Sequence, residues 1–138
     1  MNYLIDTNII SELTKKQPEP SVISWFGKAP ENSLYISCIT IGEIRKGIEK
    51  LPKSKKKMQL DAWLNNDVKS RFEKRTLPIT AEVADCWGRI ISHRGKDTPS
   101  LDGLIAATAY HADLILVTRN IKDFEHLPVR TLNPWKAH

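Results

Sequence analysis

The chain has 138 residues, of which 41% are hydrophobic and 27% charged, a composition that indicates one globular domain with its own apolar core. It contains no run of about 18 apolar residues, and no basic leader with an apolar segment precedes the first predicted strand, so we expect a cytoplasmic protein without a membrane span. The net charge of +5 and the isoelectric point near 9.3 favour a polyanionic partner.

Short apolar runs alternate with segments of helical periodicity along the chain. In order, they predict a strand at Tyr3–Ile5, helices at Ile9–Lys15 and Ser21–Lys28, a strand at Leu34–Ser37, helices at Thr40–Lys50 and Ser54–Lys74, a strand at Leu77–Ile79, helices at Ala81–Arg94 and Ser100–His111, and strands at Leu114–Val117 and Val129–Leu132. Strands that alternate with helices pair in parallel through right-handed crossovers. We therefore expect an α/β fold in which a five-stranded, mostly parallel sheet is sandwiched between helices, as one domain over residues 1–138.

Local signals support individual helices. Pro20 suits the first turn of the second helix, and Thr40 with Glu43 has the Thr-x-x-Glu spacing that opens helices. The residues 103–109 are mostly small, which indicates that the last helix lies close against the sheet. Within Ser54–Lys74 the apolar residues that recur every fourth position predict one buried helix face: Leu60, Leu64, Val68 and Phe72.

The two cysteines, Cys38 and Cys86, lie in apolar segments. Neither belongs to a Cys-x-x-Cys pair or to a His spacing that binds zinc. We expect buried free thiols in a reducing compartment.

Much of the positive charge is local. The basic residues of this stretch are Lys50, Lys53, Lys55, Lys56, Lys57, Arg71, Lys74 and Arg75. Because charge runs usually form solvated helix faces, and no aromatic residues interleave with the lysine cluster, the stretch supports RNA binding only weakly. It would supply phosphate affinity without sequence reading.

Acidic residues recur beside the predicted strand ends. Asp6 follows the first strand, Glu43 lies in the first turn of the helix after the second, and Asp123, with Asn120, lies just past the fourth. Asp102 joins them if its helix starts at the same sheet edge and runs antiparallel to the fourth strand. Ligands of open α/β folds bind at this edge, and converging carboxylates are commonly neutralised by a hard cation such as Mg²⁺. The pattern predicts metal-assisted phosphoester chemistry.

Each acid also has a purely structural interpretation. Asp6 is placed to N-cap the helix that follows it, and Glu43 matches the fourth position of a capping box with Thr40. Asp102 would stabilise its helix by interacting with the positive end of the helix macrodipole, and Asp123 fits a turn. A structural role for all four acids requires four separate coincidences, so the shared site is favoured.

The residues around these acids resemble the PIN-domain nucleases, and in detail the VapC-type toxins of bacterial toxin–antitoxin modules, including the FitB-like branch. The resemblance rests on Asp6-Thr7-Asn8, on the segment 39–47 around Glu43, on Asp102 with 105–109, on 117–120 with Asp123-Phe124, and on Leu132-Asn133-Pro134-Trp135. The chain departs from the pattern at Asn120, where many relatives carry an aspartate and this chain has its acid three residues later.

The resemblance implies a Mg²⁺- or Mn²⁺-dependent endoribonuclease that cleaves structured RNA such as tRNA. Asp6 and Asp102 are expected to be direct metal ligands, and Glu43 and Asp123 to bind directly or through water. Mg²⁺ keeps several waters, so incomplete protein coordination is expected. The resemblance further implies a homodimer and a cognate antitoxin that forms a hetero-oligomer with the toxin.

Three further residues have expected supporting roles. Asn8 is expected to orient Asp6, and Thr118 and Asn120 to hydrogen-bond water or phosphate. The four histidines are scattered outside any motif, so activation of the attacking water is assigned to the metal.

Two other classes of function remain open. The first is a phosphatase or phosphotransferase with Asp6 as nucleophile, although such enzymes usually want a second acid two residues later, where this chain has Asn8. The second is a non-catalytic binding module of the same fold. Nucleotide-binding enzymes are disfavoured because neither G-x-G-x-x-G nor G-x-x-x-x-G-K-[ST] occurs.

Overall fold

The computed structural model describes residues 1–94 and 98–136, arranged around one sheet. Its strands are β1 (Tyr3–Ile5), β2 (Leu34–Ser37), β3 (Thr76–Leu77), β4 (Ile115–Val117) and β5 (Thr131–Leu132). Their order across the sheet is β3-β2-β1-β4-β5, and every neighbouring pair is parallel. The predicted α/β fold with a five-stranded, mostly parallel sheet is confirmed.

Helices connect the strands and cover both faces of the sheet. They are α1 (Thr7–Glu12), α2 (Pro20–Lys28), α3 (Cys38–Glu49), α4 (Lys55–Ala62), α5 (Lys69–Arg71), α6 (Ala81–Arg94) and α7 (Ser100–His111), with 3₁₀ turns at Glu31–Ser33 and Ile121–Asp123 and a π-helical segment at Trp63–Val68. None of the described helices combines the length and the apolar character that a membrane crossing requires.

The order of the strands creates a switch point beside β1. From this central strand the chain proceeds to β2 and β3 on one side and later returns to β4 and β5 on the other. The connections therefore diverge between β1 and β4, which opens a crevice at the carboxyl ends of these two strands, where ligands of open α/β sheets bind.

The core lies in two layers because side chains alternate across a strand. Ile5 and Val117 point to the face covered by α1, α2, α3 and the helices after it. Leu4 and Leu116 point to the opposite face, which is covered by α7 and the segment after β4. All four side chains are buried. This packing holds β1 and β4 side by side and fixes the position of the crevice.

Two helices begin two residues earlier than predicted because a residue at the strand end, or directly after it, caps the helix. Asp6 is the N-cap of α1, which therefore starts at Thr7. Ser37 is the N-cap of α3, and its hydroxyl oxygen accepts from the Ile39 N–H at 3.0 Å. Helix α3 therefore starts at Cys38, and the prediction that Glu43 lies in its first turn is wrong: Glu43 lies in the second turn.

The predicted long helix Ser54–Lys74 consists of α4, the π-helical segment and α5. A spacing of four exceeds the α-helical period of about 3.6 residues per turn, so such residues drift around a regular α-helix. The wider π turns, closed by i→i+5 hydrogen bonds, counteract this drift. Leu64, Val68 and Phe72 are all buried in the same cluster as a result.

The two edge strands are shorter than predicted. β3 ends at Leu77, because Pro78 has no amide hydrogen with which to continue the ladder. β5 begins at Thr131, and Val129 is buried by packing on the side of the sheet that α7 covers. The prediction of two buried thiols is also wrong, since Cys38 is exposed and Cys86 is only half-buried.

Helix α7 is held closely between the sheet and α6. Ala106 and Ala109 pack in the layer of Leu4, whereas Ala107 packs with Val83 and Ile90 of α6. The expectation that small residues mark a close approach of this helix is confirmed on both of its faces.

Gly103→Ala should destabilise the protein, because a Cβ at this position would lie 2.8 Å from Trp87 Nε1. We expect overpacking to lower the free energy of unfolding by about 1–3 kcal/mol, against a gain in helix propensity of about 1 kcal/mol. Gly88→Ala on α6 is the matched control, since nothing lies within 4 Å of its Cβ position. Urea denaturation of both variants measures the difference, and equal stabilisation would contradict the close contact.

Candidate functional site

Asp6 lies at the switch point of the sheet. Its backbone N–H donates to Val117 O at 2.9 Å, which extends the pairing of β1 with β4 by one residue. Its Oδ1 accepts from the Thr7 N–H at 2.8 Å, and its Oδ2 accepts from the Thr118 hydroxyl at 2.8 Å. Asp6 is thus both a helix cap and a buried carboxylate with 6% of its surface exposed. The structural and the functional interpretations of this residue coexist.

Glu43 is attached to α1 across the site. Its Oε1 accepts from the Thr7 hydroxyl at 2.5 Å, and the same hydroxyl lies 3.0 Å from the oxygen of Thr40. Thr40 is fully buried and is not the cap of α3, which Ser37 provides. The capping-box interpretation of Glu43 is therefore wrong, and its carboxylate faces α1 beside Asp6.

Asp102 and Asp123 approach the site from the other side of the sheet. Asp102 lies in the first turn of α7, which starts at the site and leads back to β4. Asp123 ends the 3₁₀ turn after β4 and is exposed. Asp123 is close enough to contribute to the rise in the pKa of Asp102. The four acids predicted from the sequence therefore lie around one crevice, with Asp123 at its outside.

A cavity of about 460 Å³ contains most of these residues. Four carboxylates line it, of which those of Asp6, Glu43 and Asp102 were predicted from the sequence and come from different parts of the fold. The other lining residues are Thr7, Asn8, Ser11, Glu12, Lys15, Arg119, Asn120 and Trp135. The wall thus has an acidic part at the strand ends and a part with basic and aromatic side chains contributed by the segments after α1, β4 and β5.

Burial and neighbouring negative charge both oppose ionisation of Asp6 and Asp102. Burial raises the pKa of Asp6 to about 6, and the charges of Asp102 and Glu43 add to this rise against the hydrogen bonds from Thr118 and Thr7. Burial also raises the pKa of Asp102, with further contributions from Glu43 and Asp123. Carboxylates whose ionisation is opposed by burial and by neighbouring negative charge form a candidate site for a cation.

Comparison with known proteins identifies the family of this fold. The family model of the PIN domain matches residues 3–129. The chain belongs to the PIN domain family. It is 36% identical over 135 residues to the toxin FitB of Neisseria gonorrhoeae, covering 96% of this chain and 97% of the relative. It is 31% identical over 136 residues to the VapC ribonuclease Y4jK of Sinorhizobium fredii, covering 96% and 97%. The crystal structure of FitAcB from Neisseria gonorrhoeae superposes with a TM-score of 0.91 at 35% identity, covering 98% of this chain and 99% of that one.

The donor set of this PIN domain fits a hard divalent cation. All the candidate ligand atoms are carboxylate oxygens, which Mg²⁺ and Mn²⁺ prefer. Of the two basic residues that line the cavity, Lys15 is bound to Glu12 at 2.8 Å and Arg119 stacks on Trp135. Within residues 1–94 and 98–136, no three acidic, His or Cys side chains form a preassembled metal site. Binding an ion therefore requires a carboxylate to turn or water to bridge.

The unfolding free energy of the metal-free PIN domain should decrease as pH rises through the titration of Asp6. The pKa of Asp6 rises from 3.8 to about 6 on folding, so the folded state binds the proton more tightly than the unfolded chain does. Stability contributed by the protonated carboxyl is complete below pH 3.8 and is lost as pH rises towards 6. The difference corresponds to about 3 kcal/mol.

Asp6→Asn should remove this dependence, which unfolding in EDTA at several pH values measures. We expect the variant to gain stability relative to the wild type between about pH 4 and pH 7, by up to about 3 kcal/mol. Asp67→Asn, which changes an exposed carboxylate, controls for general charge effects. A stability difference between Asp6→Asn and the wild type that stays constant with pH would refute the assignment.

Thr118 supports Asp6 and does not face the ligand. It is fully buried; its hydroxyl donates to Asp6 and accepts from the Asn120 N–H at 3.1 Å. The prediction that Thr118 bonds water or phosphate is therefore wrong. Asn8 Nδ2 lies 3.4 Å from both Asp6 Oδ2 and Thr118 Oγ1, consistent with its expected orienting role, and Asn120 is exposed at the cavity.

Two parts of the cavity wall were not predicted from the sequence. Thr7 bonds Glu43, and the guanidinium carbon of Arg119 lies 4.7 Å from the centre of the Trp135 ring. A signal for the second contact exists: Val117 of β4 pairs with Leu132 of β5, so the residues after both strands emerge side by side. Glu12 also lines the wall, and its pKa is lowered mainly by the hydrogen bond from Lys15.

The basic stretch predicted from the sequence is partly engaged in structure. Arg71 and Arg75 both bind Glu31, at 2.8 and 2.9 Å. These contacts lower the pKa of Glu31 to about 2, and the hydrogen bond from Arg71 has the largest effect. Lys57 bonds the carbonyl oxygens of Glu49 and Leu51 at 3.3 and 3.1 Å. Three of the eight basic residues are therefore engaged in contacts within the protein, and the weak support of this stretch for RNA binding is reduced further.

Proposed function

We propose that this PIN domain is a metal-dependent endoribonuclease, acting in the cytoplasm as the toxin of a toxin–antitoxin pair. The observation that carries the proposal is the convergence of Asp6, Glu43 and Asp102 in one cavity at the switch point, where burial raises the pKa of Asp6 and of Asp102 and the charge of Glu43 adds to both rises. The relatives named toxin FitB and VapC ribonuclease support the same activity. The substrate we propose is structured RNA such as tRNA, and Mg²⁺ or Mn²⁺ the cofactor.

The residues of the cavity divide the chemistry among them. A bound cation supplies a water of lowered pKa and neutralises charge that develops on the scissile phosphate. Asp6 and Asp102 are the proposed direct ligands, and Glu43 and the more exposed Asp123 bind directly or through water. Thr118 and the Thr7 N–H hold the Asp6 carboxylate in place at the buried strand ends.

An aspartyl-phosphate mechanism is less well supported. Both oxygens of Asp6 already accept hydrogen bonds at 2.8 Å. Such enzymes usually have a second acid two residues after the nucleophile, where this chain has Asn8. Trapping an acyl-phosphate on Asp6 would favour that mechanism over a metal-dependent nuclease.

Structural neighbours support the proposed partners. The FitAB and VapBC2 structures are complexes, described as bound to an IR36 DNA fragment and to a DNA fragment of their promoter. They superpose on this chain with TM-scores of 0.91 and 0.78 at 34% and 28% identity. We propose by analogy that the chain forms a homodimer and that a cognate antitoxin covers its site.

The direct test is to sequence RNA ends after brief expression of the wild-type protein. We expect new ends at defined positions, absent from cells that express Asp6→Asn at the same level. Identical RNA ends in both samples would contradict the ribonuclease proposal and would favour a non-catalytic binding module.

A further inference from the structure

The acidic cavity needs positive charge beside it to accept RNA. A phosphodiester carries a negative charge, and Asp6, Glu43 and Asp102 repel it from the strand ends. A cation between the carboxylates would neutralise the scissile phosphate alone, while an RNA strand brings a phosphate with every nucleotide. The neighbouring phosphates therefore require a cationic contact on the cavity wall.

Arg119 is better placed than Lys15 to make this contact. The Nζ of Lys15 lies 2.8 Å from Glu12 Oε1, so its charge is already paired. Within residues 1–94 and 98–136, the Arg119 guanidinium forms no salt bridge within 4 Å, and its charge acts on Glu12 only as the last of several causes that lower the pKa of that carboxyl. Its exposed side chain lines the same cavity as the three carboxylates.

The backbone of Arg119 is attached to the site on both sides. Its N–H donates to Asn8 Oδ1 at 3.4 Å, and its carbonyl accepts from Asn133 Nδ2 at 3.4 Å. It directly follows Thr118, whose hydroxyl binds Asp6. The position of Arg119 relative to Asp6 is therefore set by the same elements that hold the catalytic carboxylate.

Trp135 supports the Arg119 side chain. The guanidinium carbon lies 4.7 Å from the ring centre. The backbone N–H of Trp135 donates to Asn133 Oδ1 at 2.9 Å, which ties the tryptophan to the loop whose Asn133 also binds the Arg119 carbonyl. The ring also packs against the core cluster that contains Ile9. A contact with a ring face leaves the N–H donors of a guanidinium available. Within the described residues, the Arg119 guanidinium donates no hydrogen bond, so these donors remain for an anion.

We propose that Arg119, positioned by Trp135, is a phosphate-binding residue that contacts the RNA backbone next to the scissile phosphate. This inference rests on the proposed ribonuclease function. A planar guanidinium matches the geometry of a phosphate bidentately. An acidic peptide offers similar oxygen atoms, but the shared cavity with Asp6, Glu43 and Asp102 favours the substrate that those carboxylates process.

The test measures RNA binding in the Asp6→Asn background, which keeps the RNA intact. The probe is fluorescein-labelled tRNA, a structured RNA like the proposed substrate, titrated by fluorescence anisotropy at several salt concentrations. Adding Arg119→Gln should weaken binding about tenfold at low salt. It should also make the slope of log affinity against log salt shallower by about 0.7 to 0.9, the value for one lost phosphate contact.

Three further variants separate charge from position. Arg119→Lys should keep the salt slope but bind more weakly, because a lysine has no planar donor fork. Trp135→Leu should weaken binding with an unchanged slope, since the charge remains while its support is lost. Arg130→Gln is the matched control: Arg130 pairs with Asp113 at 2.9 Å, and both residues precede their strands, at the sheet edge opposite the cavity.

The outcomes are distinct. The phosphate contact is supported if Arg119→Gln lowers the RNA affinity and its salt dependence, while Arg130→Gln binds RNA about as tightly as the Asp6→Asn parent. Equal effects of both substitutions mean that only net charge matters and overturn it. Unchanged RNA binding by Arg119→Gln, combined with weaker binding of an acidic peptide, assigns the residue to a protein interface and also overturns it. Absence of RNA binding by Asp6→Asn itself overturns the inference together with the proposed function.

Discussion

Asp6→Asn and Asp102→Asn should each reduce RNA cleavage by about a thousandfold or more, which corresponds to about 4 kcal/mol of lost transition-state stabilisation. Each substitution removes one negative charge from the proposed metal ligands while keeping the shape of the side chain. No cavity forms, and repulsion within the site decreases. Both variants should therefore remain folded, and the melting temperature of metal-free Asp6→Asn should equal or exceed that of the wild type.

Cleavage rates of the purified proteins with Mn²⁺ measure the loss of activity. Both variants should also bind the metal more weakly, which calorimetric titration with Mn²⁺ alone measures. Circular dichroism verifies the fold. Asp67→Asn changes an exposed carboxylate outside the cavity and should cleave like the wild type. Near-wild-type cleavage by Asp6→Asn or Asp102→Asn would remove that residue from the metal site, and unaltered Mn²⁺ affinity would separate it from the ion.

The positions of Asp6 and Asp102 follow from topology, and for this reason the sequence predicts them well. Alternating strands and helices imply parallel pairing, which brings strand ends and helix N-termini to one edge of the sheet. Asp6 follows β1 directly, and α7 must return from that edge to the start of β4. These conclusions need only the order of the elements, and errors of a few residues in their bounds leave them unchanged.

Contacts between side chains depend on details that the pattern does not contain. Thr40 matched a capping box, but Ser37 lies closer to the end of β2 and caps α3 instead. That shift of two residues places Glu43 in the second turn, where it meets Thr7 across 36 positions of sequence. The π-helical segment is similar: regular spacing predicted a helix there, but only packing decided which kind.

The stacking of Arg119 on Trp135 is a third case of this kind. Both residues belong to segments that indicated the family, yet neither carried a predicted role. Their contact arises because β4 and β5 pair in parallel register, Val117 opposite Leu132. The length of each connection after its strand then decides whether the side chains meet. Local sequence does not determine that geometry, since both connections are irregular.

The hydrogen bond between Thr7 and Glu43 should make these residues act as one unit in catalysis. Thr7 fixes Glu43 Oε1 at 2.5 Å, and within the described residues Oε2 has no hydrogen-bond partner and can receive an ion or its water. Glu43→Gln should reduce cleavage by about a thousandfold. Thr7→Val, which removes a positioning residue only, should reduce cleavage and Mn²⁺ affinity about 10- to 100-fold, and Thr7→Ser should restore most of both.

A double-mutant cycle tests the coupling. If Thr7 acts through the Glu43 carboxylate, adding Thr7→Val to Glu43→Gln should cost much less than about tenfold further, because the interaction is already lost. Unfolding in urea controls for structural damage: valine at position 7 should lower stability by about 1 kcal/mol, the usual value of one hydrogen bond. Additive losses in the double variant, or a Thr7→Ser protein as inactive as Thr7→Val, would show that Thr7 works independently of Glu43. In that case the short contact between α1 and α3 serves to join the two helices, and Glu43 reaches the metal without its help.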